Sequence, residues 1–377
     1  MPWQEVTKML SKKEFVRLAM EGRQSFSDLC ERFTISRNTG YKLLKRYQEV
    51  GEAGLESYSR RPHRSPSKTT EQVEKRVLEV REENPTWGGR KIRAWLLNAG
   101  EKNVPASSTI TDILYRYGKI LETRRQADEP YKRFEHESPN DLWQMDFKGH
   151  FSMMRGRCHP LTILDDHSRF SIGLKACENQ RGPTVKKHLI EIFRQYGLPL
   201  RMNMDNGVPW RACGYGKHYT ELSVWLIRVG IRLSFSRFRH PQTNGKDERF
   251  HRTLKTELLQ FHYFRDNAEA QKRFDKWREK YNLERPHEAL KMKPPIARYQ
   301  TSPRKYPEQL PAIEYLETDI VRKVDRAGEI SYRNRDYFIG EALCGEYVVL
   351  RPCSEHSYDV YFCHQKLKRI DLTKAAT

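Results

Sequence analysis

Three acidic residues stand where a sheet and a helix can bring their carboxylates together. Asp146 lies within one apolar run, Asp205 ends a second, and Glu248 lies near the start of a segment with helical periodicity. Carboxylates are hard oxygen ligands for Mg²⁺, and two such ions roughly 4 Å apart can activate an attacking oxygen and stabilise a leaving one in phosphodiester chemistry. Any one of these acids is more often a surface residue or a salt-bridged strand end, so the metal-site prediction rests on the set of three.

Side-chain alternation along the two apolar runs supports this arrangement. With a period of two, Asp146 falls on the face opposite Trp143 and Met145, and Asp205 falls on the face opposite Met204. The C-terminal end of a strand is also where an open α/β sheet tends to carry its site. Both aspartates are therefore predicted to point away from the apolar side.

The third acid is chosen between two neighbours by helical projection. At 100° per residue, Phe250, Leu254 and Leu258 form the buried stripe. Asp247 then lies on the flank of that stripe, and Glu248 lies on the opposite face. Glu248 is therefore the predicted third acid.

A strongly basic segment surrounds the start of this helix. Residues 236–256 contain six Lys or Arg against two acids, a composition that attracts phosphates. The residues predicted to contact DNA in this segment are Asn244, Lys246, Arg249, Arg252 and Lys255.

Residues 131–300 are predicted to form the α/β domain that carries the three acids. Strands alternate with helices in the order βββαβαβα, which indicates a mixed five-stranded sheet with helices. The following residues 312–377 offer short strands and are predicted to form a small all-β domain, a barrel or a sandwich. The predicted elements of the α/β domain are strands 143–147, 161–164, 170–176, 200–205 and 231–235, and helices 184–196, 222–229 and one from about 245.

Residues 1–58 are predicted to be an all-α helix-turn-helix domain. Three short helices fit the apolar spacing, and Ser36 can cap the third. That helix presents Arg37, Asn38 and Lys42 outward, as in a DNA-reading head. An ordinary three-helix bundle with a solvated basic face is the alternative.

A basic linker and a second helical domain follow. Residues 59–68 contain Arg60, Arg61 and Arg64, which either track DNA phosphates or are simply solvated. Residues 69–125 regain helical periodicity and are predicted to form a second helix-turn-helix-like DNA-binding domain. Two such domains would suit a long, bipartite DNA site.

Composition bounds the partner and the compartment. Lys and Arg outnumber Asp and Glu by 69 to 49, a net charge of +20 over 377 residues, so nucleic acid is the predicted partner. The seven Cys form no CxxC pair, and no apolar run approaches the roughly 18 residues of a membrane span. We therefore expect a cytoplasmic protein without structural zinc or membrane contact. The sequence contains no nucleotide-binding motif, so the reaction is predicted to proceed without ATP.

Five segments carry a further signal, and these are Gln144–Gly149, Leu164–Phe170, Met204–Gly207, His240–Lys255 and Tyr281–Leu290. Together they resemble the catalytic core of bacterial insertion-sequence transposases of the DDE type, which are kin to retroviral integrases. The resemblance covers about residues 135–300. The helical front end, including residues 85–88, is similar to the same proteins.

The resemblance implies an RNase-H-like core and a catalytic, metal-binding triad of Asp146, Asp205 and Glu248. It also implies a basic residue seven positions after the Glu, which is Lys255 here. The triad is expected to hold two Mg²⁺ ions, for which Mn²⁺ substitutes. The expected partners are double-stranded DNA, both element terminal repeats and target, and further copies of the chain in a homodimer or higher oligomer at the bacterial nucleoid.

Two departures from retroviral integrases stand out. Their zinc-binding His/Cys front module is absent and is replaced by helix-turn-helix units. The spacing from Asp205 to Glu248 is longer, and the surplus at residues 211–221 predicts an extra loop.

The sequence therefore predicts a transposase that binds the terminal repeats of an insertion sequence and catalyses metal-dependent cleavage and strand transfer. One alternative is a sequence-specific DNA-binding regulator, derived from a transposase, whose core is inactive. Another is a structure-selective nuclease of the RNase H kind. The intact set of acids favours the transposase.

Overall fold

The computed structural model of the chain describes residues 8–56, 69–120, 135–212, 219–235 and 245–373. The chain falls into two compact units, residues 1–68 and 69–377. The sequence predictions that lie outside the described residues are the contacts of Arg60, Arg61, Arg64 and Asn244 and the middle of the extra loop, 213–218.

The first unit is a bundle of three short helices, as the apolar spacing predicted. Its helices are α1 (Lys8–Glu21), α2 (Phe26–Arg32) and α3 (Arg37–Val50). Ser36 caps α3, because its Oγ accepts a hydrogen bond from the backbone N–H of Thr39 at 3.2 Å. Gly40 lets α3 approach α2 closely, since a Cβ there would lie 2.8 Å from Cys30 Sγ. The cap and the close packing together determine how α3 is presented.

The second unit begins with three more helices, which we call the helical trio. They are α4 (Glu71–Glu83), α5 (Gly89–Asn98) and α6 (Ser107–Arg116). Val77, Trp87, Ile92 and Ile110 are buried between them and form a small core of their own. Val77, Ile92 and Ile110 are among the residues whose helical spacing predicted these helices, whereas Trp87 lies in the break between α4 and α5.

A mixed sheet forms the centre of the second unit. Its strands are β1 (Leu142–Phe147), β2 (Phe151–Ser152), β3 (Arg157–Asp165), β4 (Ser171–Cys177), β5 (Arg201–Met204) and β6 (Arg232–Phe235). The order is β4–β3–β1–β5–β6, antiparallel from β4 to β1 and parallel from β1 to β6. This confirms the predicted mixed five-stranded sheet. The two-residue β2, which pairs with the start of β3, was not predicted because Gly156 and Arg157 interrupt the apolar pattern.

Helices cover both faces of this sheet. They are α7 (Gly182–Tyr196), α8 (Glu221–Arg228), α9 (Gly245–Glu257) and α10 (Asn267–Leu283). Trp143 and Met145 share a core with α7 and α8, whereas Leu164 and Leu174 share a second core with α9 and α10. Because side chains alternate along β1, Asp146 belongs to the α9 side.

The C-terminal residues form the small all-β region that was predicted. Its strands are β7 (Ile320–Lys323), β8 (Glu329–Tyr332), β9 (Arg335–Phe338), β10 (Tyr347–Ser354), β11 (Ser357–Phe362) and β12 (Gln365–Asp371). They make a four-stranded antiparallel sheet, β7–β10–β11–β12, and a hairpin, β8–β9. β7 and β12 were not predicted, because charged residues obscure their alternation. Val348 and Phe362 belong to the same apolar core as Trp225 and Ile231, so this region packs against the central sheet.

The last turn of α9 contacts the helical trio. Glu257 accepts a hydrogen bond from Arg285 Nε at 2.9 Å and forms an ion pair with Lys91 of α5 at 3.5 Å. Beside it, Arg90 pairs with Glu288 at 2.9 Å. These polar contacts hold α5 against the end of α9.

Glu257 and Lys91 are expected to differ sharply in their effect on stability. Glu257→Gln leaves Arg285 buried without its charge partner, and we expect a loss of about 3 kcal/mol in the free energy of unfolding. Lys91→Met is expected to change it by less than about 1 kcal/mol, because burial, with the charge of Arg285, already lowers the pKa of Lys91 to about 8. Urea unfolding of the full chain measures both, and equal losses would contradict the assignment.

His287 makes the second unit sensitive to acid. Burial, followed by the charge of Arg285, lowers the pKa of His287 to about 3. Between about pH 6.5, the ordinary pKa of histidine, and that value the unfolded chain binds a proton that the folded chain does not. Stability supplied by the neutral ring is therefore present above that window and is lost as the pH falls, by up to about 1.4 kcal/mol per pH unit.

His287→Gln is expected to lose less stability than the wild type between pH 6.5 and 4.5. Urea unfolding of both proteins at the two pH values measures the difference. Parallel losses in the two proteins would assign the acid sensitivity to other groups.

Among the helices of the described residues, none combines the length and the apolar character needed to cross a membrane.

Candidate active site

Asp146 and Asp205 are brought level with each other by parallel pairing. β1 and β5 pair with Trp143 beside Met202 and Gln144 beside Asn203. Continuing this register by two residues sets Asp205 beside Asp146. Neighbouring strands lie about 4.8 Å apart, and residues level in a parallel pair point to the same face.

The carboxylate of Asp205 turns back on the chain that follows β5. Its Oδ1 accepts a hydrogen bond from the backbone N–H of Gly207 at 2.9 Å. A Cβ on Gly207 would lie 3.2 Å from Asp205 Oδ2, which is a tight contact, so glycine leaves room for the carboxylate. The Asp-Asn-Gly motif thus holds the acid at the strand's end.

The first turn of α9 carries the two candidate acids in different environments. Asp247 is buried, whereas Glu248 is exposed. Asp247 Oδ1 lies 3.2 Å from Thr162 Oγ1, which donates its hydrogen bond there or to the backbone carbonyl of Asp146 at 3.0 Å. Thr162 also contacts His251 Nε2 at 2.8 Å. The exposure of Glu248 agrees with the helical projection, and its assignment as the third acid stays a prediction.

The charges of other carboxylates act on Asp146. Burial, then the charge of Asp205 and to a smaller degree that of Glu248, raise the pKa of Asp146 to about 7, against a hydrogen bond from the Phe147 N–H that lowers it. The sheet and α9 therefore bring the three predicted acids, Asp146, Asp205 and Glu248, into one electrostatic neighbourhood.

Asp247 and His251 were not identified from the sequence as part of the candidate site. Burial and the charge of Asp146 raise the pKa of Asp247 well above its ordinary value, and its Oδ2 has no partner among the described residues. Burial and the charge of Lys148 lower the pKa of His251 to about 4. The flanking position of Asp247 in the helical projection was the available signal.

The donor set fits a divalent cation. Ligand atoms of Asp146, Asp247 and His251 lie within 4.8 Å of one another, whereas Asp205 and Glu248 are outside this group and act on Asp146 through their charges. A cation relieves the repulsion that raises the pKa of Asp146. Oxygen ligands of this kind suit Mg²⁺ or Mn²⁺.

The basic residues of α9 have two kinds of environment. Arg252 and Lys255 are exposed, and Arg249 is exposed while pairing with Glu288 at 3.4 Å. Lys246, in contrast, is largely buried in an ion pair with Asp166. Their predicted DNA contacts stay predictions.

Lys148 was missed by the sequence analysis. Burial and, after it, the charge of Lys255 lower the pKa of Lys148, which follows Asp146 by two residues, so the two ammonium charges act on each other. Two neighbouring cations of this kind attract an anion such as a phosphate.

In the first unit, α3 exposes the residues that were predicted to read DNA. Arg37, Asn38 and Lys42 are all exposed, whereas Gly40 and Leu43 face the core of the bundle. Within the first unit, the outward face of α3 is therefore accessible to a groove of DNA.

Family models match most of the chain in pieces. They are a helix-turn-helix domain over residues 11–63, a homeodomain-like domain over 39–114, an integrase core domain over 136–241 and again over 229–295, and the C-terminal domain of IS481 family transposases over 319–377.

The chain is also similar to proteins of bacterial insertion elements. The chain is 25% identical over 256 residues to the transposase for insertion sequence element IS904 of Lactococcus lactis, covering 62% of this chain and 96% of the relative. It is also 25% identical over 256 residues to an uncharacterized 39.2 kDa protein of insertion element IS476 from Xanthomonas euvesicatoria, covering 66% and 71%. A solved simian T-cell lymphotropic virus intasome is 15% identical, covers 79% of this chain and all of that one, and has a TM-score of 0.39.

These findings confirm the resemblance and the fold class that the motifs predicted. Helix-turn-helix domains precede an integrase-like core with a mixed sheet and helices, and a small all-β region follows.

Proposed function

We propose that this chain, which is of the insertion-sequence transposase and integrase type, binds the terminal repeats of its element and catalyses metal-dependent DNA cleavage and strand transfer. The observation that carries the proposal is that the register of β1 and β5 sets Asp205 level with Asp146, and that the charges of Asp205 and Glu248 both raise the pKa of Asp146. Clusters of perturbed carboxylates are typical of active sites.

DNA binding and metal binding are proposed for residues in different elements. Arg37, Asn38 and Lys42 of α3 would bind the terminal repeat. Asp146, Asp205 and Glu248 would hold two Mg²⁺ ions, which Mn²⁺ can replace. When bound, such ions activate an attacking oxygen and stabilise the leaving one.

The exposed cations of α9 would orient the DNA. Arg249, Arg252 and Lys255 follow Glu248 along the helix, so a backbone that approaches the acids meets them in turn. Lys148 beside Lys255 strengthens the attraction for a phosphate next to the scissile bond. These residues align the substrate, and the acids carry the chemistry.

Lys255→Ala is expected to slow joining of element ends by about ten- to a hundredfold while changing overall DNA affinity little, because Lys255 supplies alignment. Lys255→Arg should retain part of the activity, since the charge persists while its geometry changes. Strand transfer and binding measured in parallel test this, with Lys272→Ala, an exposed lysine on α10, as the matched control. If Lys255→Ala joins ends at the wild-type rate, Lys255 is a solvated surface residue that does not align the DNA.

The test of the proposed function uses the purified full chain and duplexes that carry the inverted repeats flanking its gene. With Mg²⁺ present, we expect a cut at the repeat and a product in which the freed 3′ end is joined to a second duplex. Cutting without joining would favour a nuclease, and binding without cutting would favour a DNA-binding regulator.

The setting and assembly of the protein are part of the proposal. Relatives from bacterial insertion elements support a function at the bacterial nucleoid. Two element ends must be held together for joining, so we expect a homodimer or higher homo-oligomer on DNA. Light scattering of the protein with and without repeat duplexes tests this.

A further inference from the structure

The turn between β3 and β4 contains two adjacent acids with different contacts. Asp165 serves the turn itself: its side chain accepts hydrogen bonds from the backbone N–H groups of Asn140 and Ser168 and from Ser168 Oγ. Asp166 is similarly buried, with 3% of its surface exposed. Its partners lie in three other segments of the chain.

The side chain of Asp166 joins three separate segments. Gln144 Nε2 donates to Oδ1 at 2.8 Å, and the backbone N–H of His136 donates to Oδ2 at 2.9 Å. Lys246 Nζ lies 2.5 Å from the same Oδ2, and the side chain of Lys246 is only 18% exposed. Asp166 is therefore a buried charge whose ion-pair partner is Lys246.

Two of these partners are neighbours of the proposed catalytic acids. Gln144 precedes Asp146 by two residues on β1, and Lys246 precedes Glu248 by two residues in the first turn of α9. One carboxylate thus ties the strand that carries one acid to the helix that carries another. The side chain of Asp166 faces this pair of anchors.

We propose that Asp166 is a positioning residue, which through Lys246 and Gln144 fixes the distance between Glu248 and Asp146. The inference rests on the proposed function for its consequence in catalysis. Partners that orient metal ligands typically change metal affinity or activity by ten- to a hundredfold when they are removed. A shift of about 1 Å in the position of a reacting group has a cost of the same order.

The ion pair with Lys246 compensates the buried charge of Asp166. Breaking a buried pair leaves an uncompensated charge, so α9 would shift to return Lys246 to water. Glu248, half a turn further along the same helix, would move with it. The polar contacts of Asp166 therefore act on the geometry of the acids more directly than on the apolar core.

The experiment measures Mn²⁺ binding to the full chain by the loss of the free-ion electron paramagnetic resonance signal, and strand transfer at limiting Mg²⁺. We expect Asp166→Asn and Lys246→Met to weaken Mn²⁺ binding about tenfold and to slow joining about ten- to a hundredfold, and we expect Asp166→Asn to leave DNA affinity unchanged. Lys246→Arg, which keeps the charge, should retain most of both. If Lys246→Met binds DNA as tightly as the wild type, Lys246 is not one of the DNA contacts.

Asp319→Asn is the matched control. Asp319 is a similarly buried carboxylate, 5% exposed, that pairs with Arg351 at 2.9 Å in the C-terminal region, so it reports the cost of losing an ion pair far from the acids. Wild-type Mn²⁺ binding by both Asp166→Asn and Lys246→Met would overturn the inference, as would equal losses in Asp319→Asn. Weaker Mn²⁺ binding together with a wild-type protein that joins no DNA would retain the positioning role and reject the proposed function.

Discussion

Asp146→Asn, Asp205→Asn and Glu248→Gln are each expected to abolish cleavage and joining while leaving DNA affinity near that of the wild type. Each change removes one carboxylate from the set that we propose holds the cations, in which the charges of Asp205 and Glu248 raise the pKa of Asp146. Loss of cation-centred stabilisation should raise the barrier by about 4 kcal/mol or more, roughly a thousandfold in rate. Gel assays of cleavage and joining, beside binding to repeat duplexes, measure both quantities.

Asp247→Asn provides the sharpest control for this prediction. Asp247 is adjacent to Glu248 and its ligand atom lies near that of Asp146, but burial and the charge of Asp146 favour its neutral form, which is a poor cation ligand and which an amide of the same shape can replace. We therefore expect Asp247→Asn to keep most of the activity that Glu248→Gln loses. If Asp247→Asn loses the activity and Glu248→Gln keeps it, Asp247 is the third acid of the triad.

The second large effect is expected on the outward face of α3. Replacing Arg37, Asn38 and Lys42 together with Ala should remove most of the preference of the full chain for terminal repeats, because each base contact is worth about 1–3 kcal/mol of discrimination. Binding to an unrelated duplex should fall much less, since the rest of a strongly basic chain still attracts phosphates.

Competition between repeat and scrambled duplexes at two salt concentrations measures this preference. Arg17→Ala is the matched control, because Arg17 is an exposed cation on α1 that pairs with Glu14 and Glu21. If the triple variant retains the wild-type preference, recognition of the repeat lies outside α3.

The carboxylates could be predicted from sequence because local periodicity decides their direction. Period-two alternation assigned Asp146 and Asp205 to one side of their strands, and the register of β1 and β5 agrees with it. Helical projection identified Glu248 as exposed and Asp247 as flanking. Only the packing of α9 on Thr162 turns that flanking position into a buried one, and no local pattern contains this information.

Pairings between distant residues could not be read from the sequence. The basic segment indicated a DNA contact for Lys246, but the ion pair with Asp166 joins residues 80 positions apart. In the same way β2, β7 and β12 are too short or too charged to show alternation and form only because partner strands are present. Tertiary contacts override local pattern in both cases.

The contact between α5 and the end of α9 limits how freely this protein can be recombined with others. Lys91 and Arg285 share Glu257, and Lys280 lies 5.8 Å from the centre of the Trp87 ring, so the helical trio shares one contact surface with α9 and α10. A chimera that exchanges the trio alone would leave Glu257 and Lys280 facing unmatched residues. Engineering a new DNA specificity should therefore start from α3 in the first unit, whose exchange leaves that surface intact.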